Sequence, residues 1–417
     1  MASTNLKYGR SAISLEYDPS RFEVIGSPVR RPALTDVEIG ASFDHPIGSP
    51  LEEIVAPGET VLIAVPDATR QTASGQIVNL LVRRLIANGT APHEIRIIFA
   101  TGIHRHVTEA EKQTILTPFI AQRIGTAAHD AHNQLKLFKV GETSGGIPIE
   151  LNWMLTEYDH VVLVGGVTFH YFAGFTGGRK LICPGLASAR TLEETHKLAF
   201  DFETKGRRSG VGPGLLEGNA VHEAFVEAVE TIKPAFAINT IVDNEGSATD
   251  VFCGDWKESH RAACEQYADG HTIRIAEKRE LVIVSCGGYP FDINMIQAHK
   301  ALDAASRACS DGGTIVLLAE CSDGPGRDDF PAWFAARDSA DLAERLCSGY
   351  QVNGQTAWSV LEKAERFNVH LLSSLPADDA RRMRLLPIED GADIQRLTER
   401  TGGGYILPFG SKFLPVT

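Results

Sequence analysis

Several absences limit what this 417-residue chain can be. No apolar run reaches the roughly 18 residues needed to cross a bilayer, so a membrane partner is not expected. The cysteines are few and odd in number, at 183, 253, 264, 286, 309, 321 and 347, and none forms a Cys-x-x-Cys pair. A zinc ribbon or redox dithiol is therefore unsupported, and reduced thiols are expected. Nor is there a basic stripe. With 40 Lys+Arg against 53 Asp+Glu and a formal charge of −13, a nucleic-acid partner is disfavoured. The opening Met1-Ala2-Ser3-Thr4-Asn5 lacks the basic-then-apolar order of a secretory signal, which points to a cytoplasmic protein.

What is present is an ordinary globular composition, 43% hydrophobic and 22% charged, at a length that suits two or three domains. Short β-branched runs recur at Thr60–Val65, Ile95–Phe99, His160–Val164, Phe236–Val242, Leu281–Ser285, Thr314–Ala319 and Val369–Leu372. Helical patterns such as Ser74–Asn88 and Leu192–Phe200 lie between several of them. Apolar strands alternating with amphipathic helices predict an α/β protein built as two α/β domains with parallel-rich sheets. The polar helical stretch near 260–279 suggests the division. Residues 1–275, with the tail 403–417, would form an N-terminal domain and 286–387 a C-terminal one, joined through connecting helices at 260–285 and 388–402. Ligands in such sheets collect beyond the carboxyl ends of the strands, so those loops deserve the closest reading.

The loops hold the unusual residues. After the first strand comes Asp67-x-Thr69-Arg70, read as N-cap candidates with an Arg in the first helical turn, where an anion would offset the unfavourable dipole. After the second comes Thr101-Gly102-Ile103-His104-Arg105, with Gly102 suited to a tight turn. The third is followed by a glycine-rich stretch from Gly165 to Gly185 that contains His170, Gly177, Gly178, Arg179 and Lys180. Gly177-Gly178-Arg179-Lys180 departs from a Walker phosphate loop because Leu follows the lysine, so a Mg·ATP site is disfavoured. His196 stands on a predicted helix, and Gln297 and Lys300 lie three apart on another, facing one side. Taken singly, each reads as a loop, cap or surface residue.

Taken in order, these blocks resemble the nickel-dependent lactate racemase family, whose members racemise or epimerise 2-hydroxyacids. The resemblance rests on Asp67-x-Thr69-Arg70, Thr101-Gly102-x-His104-Arg105, His170-x-x-Ala173-Gly174-x-x-Gly177-Gly178-x-Lys180, Thr195-His196 and Gln297-x-x-Lys300-Ala301, and it covers most of the chain. It implies an isomerase carrying a nickel-pincer nucleotide (pyridinium-3-thioamide-5-thiocarboxylic acid mononucleotide) attached at Lys180, with His196 as the protein ligand of nickel. Gly177 and Gly178 would let the backbone approach this cofactor. His104 and His170 would be opposed acid/base groups for the two enantiomers. Arg70, Gln297 and Lys300 would hold the substrate carboxylate, with Asp67 orienting a histidine or Arg70. The active site would lie in an interdomain cleft, and cofactor-maturation enzymes would be obligatory partners.

The chemistry of the reaction agrees. A 2-hydroxyacid carboxylate stabilises an α-carbanion poorly, so moving the hydrogen as hydride is the easier route, and inversion needs groups on both faces. The soft sulfur and imidazole ligand set suits nickel better than magnesium or calcium. Substrate identity is less determined. Ile296 stands where an aromatic is expected in the lactate enzymes, His299 adds polarity, and Trp358 is either a wall or a packing residue. A dicarboxylate such as malate would need a further cation, for which Arg105, Arg179 and His299 are candidates. Two other readings stand beside this one: a zinc-dependent hydrolase using His104, His170 and His196, and a non-catalytic ligand-binding member of the same fold.

Overall fold

The structure, a computed structural model, describes residues 1–26 and 31–417 and divides into two compact units. One comprises Arg30–Ala199 and Gly210–Ala268; the other comprises Met1–Val29, Phe200–Ser209 and Asp269–Thr417.

The first unit is built on a six-stranded sheet in the order Ala248–Gly254, Phe236–Val242, His160–Gly166, Val61–Pro66, Ile95–Ala100, Gly125–Ala128. All neighbours are parallel except the edge pair Phe236–Val242 and Ala248–Gly254. Alternation along Val61–Pro66 explains why this strand is central. Val61, Ile63 and Val65 enter one core with Ile77, Val78 and Leu81 of the helix Ser74–Ala87, while Leu62 and Ala64 enter the core on the opposite face. A strand buried on both faces has to be apolar throughout, and every residue of it is buried. From this strand the chain adds pairs outward to Gly125–Ala128, then returns to its other side with His160–Gly166. The strand order therefore reverses between Val61–Pro66 and His160–Gly166, which opens a crevice at their carboxyl ends.

The second unit has a wholly parallel six-stranded sheet, ordered Leu386–Ile388, Asn368–Leu372, Cys309–Leu318, Arg279–Ser285, Gly404–Leu407, Phe22–Val24. The helices Met295–Ala308 and Val352–Arg366 cover one face, and the hairpin Ala2–Tyr8/Ser11–Tyr17 with the helix Gly391–Arg400 covers the other. This differs from the division expected from sequence. The tail strand Gly404–Leu407 pairs with Arg279–Ser285, and the early strand Phe22–Val24 pairs with Gly404–Leu407 at the sheet's edge, so both belong with the C-terminal sheet. Arg279–Ser285 itself is a core strand of that sheet, not part of a connector. A short hairpin, Phe200–Arg207, also belongs here: Phe200 is fully buried and meets Trp358 edge-on at 5.4 Å. Trp358 is thus a packing residue.

All seven cysteines are free thiols, six of them buried. Among the described residues no helix is long and apolar enough to cross a membrane.

One ionic knot organises the second unit. Asp303, buried on Met295–Ala308, lies 2.6 Å from Arg207 Nη2 and 3.2 Å from the buried Lys363 Nζ. Burial opposes its charge, but Arg207, Lys363 and Arg307 outweigh it and hold the carboxyl far below the ordinary range. Asp303→Asn is expected to lower stability by about 3 kcal/mol in urea unfolding, because the buried Lys363 and the half-buried Arg207 would face a neutral amide. In the wild type this contribution is intact above the ordinary carboxylate value of about 4 and is lost only as pH falls toward the depressed folded value.

Candidate active site

In the first unit Asp67, Arg70, His104, His170 and Lys180 all sit on connections leaving the carboxyl edge of the sheet. Asp67 and Arg70 follow Val61–Pro66, but not as helix caps. Asp67 Oδ1 accepts from Thr69 N at 2.9 Å and from Thr69 Oγ1 at 2.5 Å, closing a local turn. Ala73 then takes a left-handed φ of 51°, and the helix starts only at Ser74. Arg70 is consequently a half-buried loop residue, and the expected conflict with a helix dipole does not arise.

The second oxygen of Asp67 faces His104. Oδ2 lies 2.7 Å from His104 Nδ1. Burial would push the Asp67 carboxyl up, but the adjacent His104, the hydrogen bond to it, Arg70 and Thr69 together hold it well below the usual range. An ionised carboxylate can only accept, so Nδ1 carries the proton and Nε2 presents a lone pair from an exposed ring. Gly102, with φ 54°, makes the turn that brings His104 there, and its N–H donates to Gly185 O at 2.9 Å.

His170 has different surroundings. It lies on a two-residue strand paired with Gly174–Phe175 and is buried. Its Nδ1 accepts from Ala173 N at 3.3 Å, and its ring meets Phe172 edge-on at 4.6 Å. Phe172 is a shared wall. Lys180, on the short 3₁₀ turn Gly178–Leu181, holds Nζ 5.6 Å from the Phe172 ring centre and 4.8 Å from that of Phe225. His196 lies edge-on to Phe172 at 4.9 Å and 5.8 Å from Phe225.

The helix Ala189–Lys197 carries His196 inward because its buried stripe is Thr191, Leu192, Thr195 and His196. Ser188 caps its start by accepting from Thr191 N at 3.0 Å. His196 Nδ1 donates to Leu192 O at 2.7 Å, so the lone pair is on Nε2. Burial and then Lys180 push its pKa down to about 3, with a smaller push from His104, while the hydrogen bond to Leu192 opposes them. His196 is therefore a neutral imidazole in physiological buffers, as a metal ligand must be.

The glycines have an internal explanation. A Cβ at Gly178 (φ 48°) would fall 2.5 Å from the His260 ring, one at Gly177 (φ 73°) 3.0 Å from Gly166 O, and one at Gly174 (φ 76°) 2.2 Å from Leu215 O. Close approach of the protein to itself accounts for all three. Of the cations considered for a second substrate carboxylate, Arg105 is paired bidentately with Glu111 (2.8 and 2.5 Å) and Arg179 is fully buried. The third, His299, is buried inside the second unit with its pKa pushed down to about 3, chiefly by burial. In that unit Lys300 Nζ donates to Gln297 Oε1 at 2.6 Å, the same-face pair expected from their spacing.

Among the described residues no group of three or more His, Cys, Asp or Glu side chains is arranged to hold a metal ion, so the three-histidine zinc site is not formed. Sequence reasoning missed two features. One is the aromatic wall of Phe172 and Phe225. The other is His260, whose helix Glu258–His271 buries Ser259, His260, Ala263, Cys264 and Tyr267; that three-and-four spacing was readable inside a segment taken as polar.

These features place His104 and His170 on connections at the carboxyl edge of an open α/β sheet and Lys180 beside a neutral His196. Comparison with known proteins identifies the site further. The lactate racemase N-terminal domain model matches residues 8–207 and the C-terminal domain model matches 275–356. The lactate racemase of Lactiplantibacillus plantarum is 32% identical over 338 residues, 79% of this chain and 77% of that protein. That of Thermoanaerobacterium thermosaccharolyticum is 29% identical over 355 residues, 84% and 82% of the two. The solved apoprotein of the Thermoanaerobacterium enzyme superposes with a TM-score of 0.89 at 26% identity, covering 100% of both chains. A Thermotoga maritima structure, at 19% identity and TM-score 0.72, covers 93% of this chain and 100% of its own and shares the fold. The chain belongs to the lactate racemase family, and the enzyme is an isomerase.

Gly178→Ala separates the two explanations of the loop glycines. The internal one predicts a loss of about 1–3 kcal/mol in the unfolding free energy of the cofactor-free protein, measured by denaturant titration; unchanged stability would leave the glycine to a ligand.

Proposed function

We propose that the enzyme racemises a 2-hydroxy monocarboxylate of the lactate type, using a nickel-pincer nucleotide held at Lys180 and His196. The observation that carries this reading is the grouping of His170, Lys180 and His196 around Phe172, with His104 near enough to bear electrostatically on His196. The residues fit the cofactor. His196 offers a neutral Nε2 lone pair suited to nickel, and Lys180 stands beside it in the same aromatic enclosure. When bound, this group supplies the hydride acceptor that inversion at the α-carbon needs.

The chain's own residues do the rest. Arg70 holds the substrate carboxylate, offering a fork to its two oxygens. His104 takes the hydroxyl proton of one enantiomer at Nε2, and Asp67, fixed by Thr69, stabilises the imidazolium that results. His170 is the acid/base group on the other enantiomer's face, its Nε2 exchanging a proton with the substrate oxygen. The choice of a monocarboxylate is supported by the state of the spare cations: Arg105 is engaged by Glu111, Arg179 has no exposed surface to offer, and His299 is neutral and buried. A second carboxylate would therefore meet no open positive partner among these three.

The test is a chirality assay over lactate, 2-hydroxybutyrate, phenyllactate and malate, combined with intact-mass analysis. Protein co-produced with the maturation enzymes is expected to carry an adduct on Lys180 and to racemise the monocarboxylates; protein made without them is expected to be unmodified and inactive. Racemisation that survives the His104→Ala, His170→Ala double replacement, or an active enzyme with zinc and no adduct, would refute the reading. Asp67→Asn is expected to lower kcat on the order of 100-fold or more, since the base loses the group that sets its tautomer.

A further inference from the structure

Arg179 is among the largest fully buried side chains of the molecule, and the groups that face it are neutral. Among the described residues no carboxylate lies within ion-pair distance of it. Its neighbours are His260, His222 and Cys264. Burial, then Arg179 itself, drives His260 well below its ordinary value and His222 down to about 3, while burial raises the Cys264 thiol to about 12. The guanidinium, lowered by burial only to about 10, keeps its charge. A buried cation without a counter-ion is costly, so its hydrogen bonds must hold a conformation that matters.

One of those bonds holds Ala173 and another anchors the guanidinium to His260. Arg179 Nη2 donates to Ala173 O at 2.7 Å, and Nη1 donates to His260 Nε2 at 2.9 Å. Ala173 is also the residue whose N–H donates to His170 Nδ1. A backbone N–H can only donate, so it requires a lone pair on Nδ1 and leaves the proton of the neutral ring on Nε2. The arrangement at His104 is opposite, because Asp67 requires the proton on Nδ1.

We propose that Arg179, seated by His260, is a positioning residue for His170: by fixing Ala173 it sets the orientation and resting tautomer of that ring, opposite to the tautomer Asp67 sets on His104. The guanidinium is suited to this because its planar fork reaches the carbonyl and the imidazole at once, which a lysine ammonium does with less directional constraint. The proposal rests on reading His170 as an acid/base group, but its test does not use turnover.

Protein labelled with ¹⁵N only in histidine and produced without maturation enzymes is examined by long-range ¹H–¹⁵N correlation, well above the ordinary histidine value of about 6.5 so that the rings are neutral. His104→Gln and His170→Gln assign the two sets of signals. The expected wild-type spectrum shows His170 protonated at Nε2 and His104 at Nδ1. In Arg179→Lys the His170 nitrogens are expected to move toward each other as the two tautomers mix, with His104 unchanged. His260→Gln, which offers an amide in place of the ring, provides a second variant with the same expected direction if Arg179→Lys does not fold. A wild-type His170 protonated at Nδ1 would overturn the proposal. So would His170 signals unmoved in a folded variant, or His104 shifting alongside them, since that would mean general loosening. Failure of the racemase reading would leave these spectra as they are and would appear only in the chirality assay.

Discussion

A parallel sheet places all its carboxyl strand ends on one edge, and where the strand order reverses, successive connections leave that edge in opposite directions. Between Val61–Pro66 and His160–Gly166 this geometry keeps the chain from closing over its own strand ends. The loop bearing Asp67 and Arg70 leaves from one side of the reversal and the stretch bearing His170 and Lys180 from the other, with His104 on the adjacent connection. The site therefore depends on strand order before it depends on any side chain. The apolar alternation that buries Val61–Pro66 on both faces is what makes that order stable.

Within that frame, burial decides which groups carry charge. Lys180 and His196 share an aromatic enclosure, where two neighbouring cations would repel with little water to screen them. The imidazole, with an ordinary pKa near 6.5, gives up its proton far more readily than an ammonium, so the conflict resolves in favour of a neutral His196. On the other side Asp67 retains its charge despite burial, because His104, Arg70 and Thr69 converge on it. On the proposed function, a chain of formal charge −13 that handles a carboxylate substrate would need local positive charge, and the loop carrying Arg70 would provide it next to a carboxylate already bonded to His104.

Much of this was legible in the sequence, for reasons that differ by residue. Strands such as Ile95–Ala100 and Phe236–Val242 were readable because they are short, mainly apolar and β-branched runs, and the motif residues were readable because their order and spacing resemble a family. The pairing of the terminal segments was not. Phe22–Val24 is three residues long and its partner Gly404–Leu407 four, and nothing local says that two short runs so far apart in the chain lie side by side. The turn at Asp67 was misread as a cap because Asp and Thr serve both motifs, and only the left-handed Ala73 separates them. The glycines around 174–178 announced close approach without saying to what; the neighbours proved to be His260, Gly166 and Leu215. Arg179 looked like a spare cation because its burial depends on His260, about eighty residues further on.

On the proposed function the two histidines do symmetrical work in unsymmetrical places. His104 is exposed and backed by a carboxylate; His170 is buried between aromatic rings and held by a backbone N–H. Enantiomers have equal free energies in an achiral solvent, so the equilibrium constant is unity and kcat/KM must be the same in both directions at every pH. Whatever the unequal surroundings do to proton transfer at one histidine has to be matched, in that ratio, by the other direction passing through the same highest barrier. The asymmetry can therefore appear only in kcat and KM taken separately, as a difference in how firmly each enantiomer is held before reaction. An enzyme that must serve two mirror-image substrates from an L-amino-acid chain has no way to make its two faces alike. It needs only that both faces lead to the same barrier, and two differently supported imidazoles are enough for that.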